Sequence, residues 1–128
     1  MIELTTNTAG QTVYLTLNEG KQYFATDFTH YLFILIREEN TVTGGLDLAQ
    51  VAQTIIDNER YTELTITTVG LETRGAYHYK VYGQNSASNV DPLNASVVGL
   101  VERGSATLTD STVYFTPNTT AIPDDGGA

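Results

Sequence analysis

Cysteine and tryptophan are missing from this 128-residue sequence, methionine occurs once, proline three times and histidine twice. Without cysteine, disulfides and thiolate metal sites are excluded, and the fold must rest on its own core. A chain of this length buries about two thirds of its unfolded surface, so one domain needs no staple, whereas two domains would each lack a core. Basic side chains are scarce as well: six Lys and Arg stand against fifteen Asp and Glu, a net charge of −9. That excess repels phosphate backbones and anionic lipid surfaces, so neither nucleic acid nor a membrane is an expected partner. The longest apolar run, Tyr31 to Ile36, is too short to cross a bilayer. The opening MIELTTNTAG has no basic segment followed by an apolar one, so the expectation is a soluble protein made in the cytosol.

Motifs that carry chemistry are equally sparse. His30 and His78 form no HxxxH or HxH pair, and a zinc site built on them would need carboxylates to complete its shell. The adjacent Glu38 and Glu39 follow one another at a strand end and project to different sides. No GxSxG elbow, phosphate-cradling glycine loop or EF-hand loop occurs. Asn94-Ala95-Ser96 and Asn118-Thr119-Thr120 match the glycosylation pattern, which arises often by chance. The expectation is a non-enzyme with no cofactor, no metal and no catalytic residue.

What the sequence does hold is β-branched and aromatic residues in short runs, punctuated by Gly, Asn, Asp and Pro. TVYLTL alternates with Val13, Leu15 and Leu17 on one face, and YTELTIT places Leu64 and Ile66 inward. AYHYKVY sets Tyr77, Tyr79 and Val81 against His78, Lys80 and Tyr82. YLFILI is apolar on both faces, which suggests a central strand covered twice, by its own chain or by a neighbouring subunit. SVVGLVERGSATL and STVYF add further strands, with Gly104 free for a turn or bulge, and IELTT is a weaker candidate. DLAQVAQTIIDNER fits a short helix capped by Asp47, through Leu48, Val51, Ala52 and Ile55, and equally a strand over 47–57. Seven to eight strands with short connections predict an all-β antiparallel sandwich of Ig-like kind, possible helix included, with a small closed barrel as the alternative. The domain is expected over residues 1–116 and an extended tail over 117–128, or an arm that orders on a neighbour with Ile122 as its apolar anchor.

The stretch GQNSASNVDP after the tyrosine strand is a loop whose side chains bond their own backbone. With Tyr82 beside it, it has the composition of a binding surface, though ordinary loops share it. Tyr82, Gln84, Asn85, Ser86, Asn89 and Asp91 are the candidate contact residues.

ERYTELTI, then YHYKVYGQNSASNVDP, then VGLVERGSATL resemble a pattern in small virion structural proteins of tailed bacteriophages. The matching positions include Arg60, Tyr61, Gly75, Tyr77, Tyr79, Val81, Tyr82, Gln84, Ser86, Asn89, Asp91, Pro92, Val101, Glu102 and Gly104, within roughly residues 31–109. The stretch from Thr26 to His30 and the segment 47–57 depart from it. The resemblance implies a non-enzymatic β-sandwich in the virion, assembled in the host cytoplasm and present in many copies or as a homo-oligomer. Its partner would be the major capsid protein, which it decorates, or another virion protein of the neck or tail. A carbohydrate-binding sandwich with Tyr77, Tyr79 or Tyr82 as stacking platform is the competing expectation, and a hydrolase using His30 or His78 a third.

Overall fold

The computed structural model describes residues 2–22, 24, 28–38, 46–58 and 60–110. Seven strands run in chain order: β1 (Ile2–Thr5), β2 (Gln11–Leu15), β3 (His30–Arg37), β4 (Leu48–Asp57), β5 (Thr62–Ile66), β6 (Gly75–Gln84) and β7 (Val97–Thr109). A single helical turn, Asn18–Lys21, follows β2, and the described residues hold no longer helix. No helix among them is long and apolar enough to cross a membrane.

The strands form one sheet in the order β1-β7-β6-β3-β4-β5-β2. It is mixed, because β1 lies parallel to β7 while the other neighbours are antiparallel. The sheet curls nearly into a barrel, and β4 is where it turns. Its first half, Leu48 to Ala52, pairs with β3, and its second half, Gln53 to Asp57, pairs with β5 across a bulge at Ile55. A bulge adds a residue on one strand and sharpens its twist, which lets one strand serve two directions of sheet. The all-β expectation therefore holds with seven strands, while a separate second sheet of the Ig-like kind is not found among the described residues. The strand expected at STVYF and the tail 117–128 lie outside those residues.

Where the curled sheet nearly closes, β1 and β2 are joined by a side chain. The Gln11 Oε1 accepts the Thr5 N–H at 2.6 Å and the Gln11 Nε2 donates to the Thr5 carbonyl at 2.9 Å. One amide thus gives Thr5 both bonds that a neighbouring strand would supply. The Thr68 hydroxyl donates to the same carbonyl at 2.5 Å and receives the Gln11 Nε2 at 2.8 Å.

Alternation places the core inside the curl. Val13, Leu15, Leu64, Ile66, Tyr77, Tyr79 and Val81 are buried on the inner face as their spacing predicts, with Phe33 stacked on Tyr79 at 6.1 Å between centroids. Full burial of each such side chain is worth roughly 1.5–3 kcal/mol. The outward side chains of β3, Leu32, Ile34 and Ile36, are also buried and form a second cluster with Ala49, Tyr82 and Val97. Both faces of the YLFILI run are therefore covered.

The segment open to helix or strand is β4. Asp47 caps no helix: its carboxylate accepts the Arg37 backbone N–H at 2.7 Å and the Arg37 Nε at 3.2 Å, tying the two ends of the β3–β4 connection. The Gln50 amide then grips Thr67, donating to its carbonyl at 2.6 Å and accepting its N–H at 2.8 Å. Pairing with an apolar central strand satisfies the backbone of 48–52 and buries Ala52, which outweighs a weak helical periodicity.

Candidate functional site

The β6–β7 connection begins from Gln84, whose side chain is fully buried. Its Nε2 donates to the Ser86 and Asn89 carbonyls, both at 2.9 Å, and its Oε1 accepts the Asn89 Nδ2 at 2.9 Å. Asn89 passes the order on, donating to the Asp91 carbonyl at 2.9 Å while its Oδ1 accepts the Asp91 N–H at 3.1 Å. The Ser86 hydroxyl oxygen accepts the Asn89 N–H at 2.9 Å, and the Asp91 carboxylate accepts the Leu93 N–H at 2.9 Å. Side chains of this type favour turns because they replace missing backbone partners.

The structure therefore divides the six expected contact residues. Gln84 is internal and holds the loop, Asn89 and Ser86 are half-buried and bonded within it, and Tyr82 is half-buried on the outer face of the sheet, where burial pushes its phenol pKa up. Only Asn85 and Asp91 are exposed. The loop also projects two large apolar side chains: Leu93 is 91 % exposed and Val90 49 %. Sequence reasoning missed Leu93. The signal that could have found it is a lone large aliphatic side chain within a polar loop that has no periodicity to bury it.

Beside Leu93, between the loop and the outer face of β3, β6 and β7, lies a cavity of about 820 Å³. Its floor is Ile34 and Ile36, and Lys80 and Arg103 line it from the neighbouring strands. Cross-strand register explains the arrangement: Ile34 stands opposite Lys80, which stands opposite Arg103, and in the next row Ile36, His78 and Ser105 are aligned. No hydrogen bond joins His78 to Ser105 or to Asp91 among the described residues, and the Asp91 carboxylate is engaged with its own turn. Gly104 also lines the cavity, and as the cross-strand partner of Tyr79 it leaves room for that ring; a Cβ there would sit 2.7 Å from it. The Tyr79 hydroxyl donates to the Glu102 carboxylate at 2.6 Å, and burial, then that bond and its negative charge, push the phenol pKa well above its usual value.

Tyr77 and Tyr79 are 1 % and 6 % exposed, so neither is available as a stacking platform. His30 does not line the cavity, and its Nδ1 lies 2.7 Å from the Thr29 hydroxyl. Among the described residues no three His, Asp or Glu side chains gather in a way that would hold a metal ion.

A second polar cluster ties the helical turn to the barrel. Asp57 accepts the Tyr31 hydroxyl at 2.7 Å, the Lys21 ammonium at 3.1 Å and the Thr62 hydroxyl at 3.0 Å. Partial burial raises the Asp57 pKa, but the hydrogen bonds from Tyr31, Lys21 and Thr62 more than offset it, and the carboxyl lies below its ordinary value. The Lys21 ammonium also sits 5.8 Å from the Phe28 ring centre and 5.9 Å from that of Tyr31. Every partner in this cluster is satisfied within the fold, which makes it a staple.

Compared with models of protein families, with curated proteins and with solved structures, the chain finds no match in any of the three.

Proposed function

We propose that this chain is a non-enzymatic structural protein of a tailed-phage virion, attached to the capsid surface as a decorating protein through the loop 85–96. The observation that carries the reading is Leu93, 91 % exposed at the tip of a loop whose polar groups are bonded to one another. A rigid apolar projection loses little conformational entropy when it enters a neighbour's pocket, and this is how interface anchors work. One such side chain contributes about 2 kcal/mol on burial, too little to hold two proteins together alone. Joining several copies into one oligomer on a symmetric lattice turns it into secure attachment. The resemblance of residues 31–109 to small virion proteins supports the same reading, and the net charge of −9 keeps the surface from competing for packaged DNA. An Ig-like sandwich is not required for it; a stiff curled sheet presents the loop equally well.

Peptide mass spectrometry of purified particles, with crosslinks mapped from the chain, tests the proposal. Crosslinks from residues 85–96 to the major capsid protein are expected. Crosslinks to a neck or tail protein would move the chain on the particle, and particles lacking the chain would end the reading.

A further inference from the structure

We infer that the cavity beside Leu93 is a binding site for an amphiphilic anion, a carboxylate carried on a medium-length alkyl chain. The inference goes beyond the virion reading and does not depend on it.

The charge of the site runs against that of the molecule. Six cationic side chains serve the whole sequence against fifteen acidic ones. Lys21, Arg37 and Arg74 are each paired with a carboxylate, Asp57, Asp47 and Asp110 respectively. Arg60, Lys80 and Arg103 have no such partner among the described residues, although acidic side chains are in large excess, and of these three only Lys80 and Arg103 line the cavity. They stand directly opposite one another on β6 and β7, where like charges repel across a distance of roughly 5 Å between their Cβ atoms. Such an arrangement is unfavourable in the empty protein and becomes favourable once an anion lies between the two. A carboxylate matches it, accepting two parallel bonds from the guanidinium and one from the ammonium.

The rest of the cavity supplies the other half of the ligand. Ile34, opposite Lys80, and Ile36, one row along the strand, lie at the base of the cavity at 1 % and 6 % exposure, and the exposed Leu46 and Leu93 give it aliphatic walls. Rows two residues apart on a strand lie about 7 Å from one another, so an alkyl chain anchored at Lys80 and Arg103 runs along the floor. The volume of about 820 Å³ lies within the range of small-molecule sites, which combine apolar walls with a few placed polar groups. Asp91, the acidic group on the wall, is exposed to solvent and directs one carboxylate oxygen to the Leu93 N–H.

The test is a titration of the full chain with decanoate, followed through the Ile34 and Ile36 methyl signals in NMR spectra, with decanol and decyltrimethylammonium in parallel. Decanoate is expected to bind saturably at one site, shifting both methyls. Decanol, which lacks the charge, and the ammonium, which reverses it, are expected to bind at least tenfold more weakly. Lys80→Gln and Arg103→Gln, made separately, should each weaken decanoate at least tenfold. Each empty variant should melt no lower than the wild-type protein, because a repulsion has been removed. No saturable shift below the concentration at which decanoate aggregates would overturn the inference. So would equal binding of decanol, unchanged affinity in both variants, or a lowered melting temperature in both.

Discussion

Gln84 and Asn89 clasp one another across the start of the β6–β7 loop, the Asn89 Nδ2 donating to the Gln84 Oε1 at 2.9 Å while the Gln84 Nε2 donates to the Asn89 carbonyl at the same distance. Gln84 is fully buried, and removing its amide leaves the partly buried Ser86 and Asn89 carbonyls without their partner. Gln84→Ala is expected to lose about 1–3 kcal/mol in urea unfolding. Amide hydrogens of residues 85–96 should exchange faster in the folded variant, while those of β3 and β6 keep their relative protection.

Gln11 has the corresponding task at the seam. Gln11→Glu exchanges a donor for a carboxylate facing the Thr5 carbonyl, and the expected loss is about 1–3 kcal/mol, read from the shift in urea midpoint. Exchange of the Thr6 amide, bonded to the end of β7, should rise more than that of Thr5, whose N–H a carboxylate oxygen can still accept.

The Asp57 cluster gives the acid side of the stability profile. Its folded pKa lies below the unfolded value of about 4, so its contribution is present above that pH and is lost as pH falls through the folded value. Asp57→Asn should lower the melting temperature at neutral pH and flatten its decline below about pH 4 relative to wild type.

Tyr31 and Tyr79 set the alkaline side. Burial first, and then the carboxylates of Asp57 and Glu102, raise both phenols, so the folded protein keeps protons that the unfolded chain releases near pH 10. Stability from these two groups is complete below about pH 10 and declines as pH rises beyond it. Absorbance at the tyrosinate band should show both residues ionising only together with unfolding, and Tyr79→Phe should make the alkaline decline shallower.

How much of the fold is legible in the sequence follows from which forces are local. Alternation is a property of one strand, so the spacing of apolar residues alone names the inward side chains Val13, Leu15, Leu64, Ile66, Tyr77, Tyr79 and Val81. The closure of the sheet has no such local mark. It depends on Gln11 and Gln50 reaching Thr5 and Thr67, and a glutamine that stands in for a strand looks the same in sequence as one in solvent. In the candidate loop, residue type names side chains that bond their own backbone, and Ser86 and Asn89 do so, whereas the exposure of Leu93 has no periodic mark in the sequence. The cationic pair is hidden for a third reason: Lys80 and Arg103 are far apart in sequence and meet only through the register of β6 with β7.

On the proposed reading, Leu93 anchors this chain to a phage particle. The direct measurement is co-sedimentation of the purified chain with particles lacking it, comparing wild type with Leu93→Asp. A substitution at so exposed a position should leave stability within about 0.5 kcal/mol, and the melting temperature verifies this first. Wild type is expected to pellet with the particles and Leu93→Asp to remain in the supernatant. Equal sedimentation of the two proteins, or none by the wild type, would contradict the account.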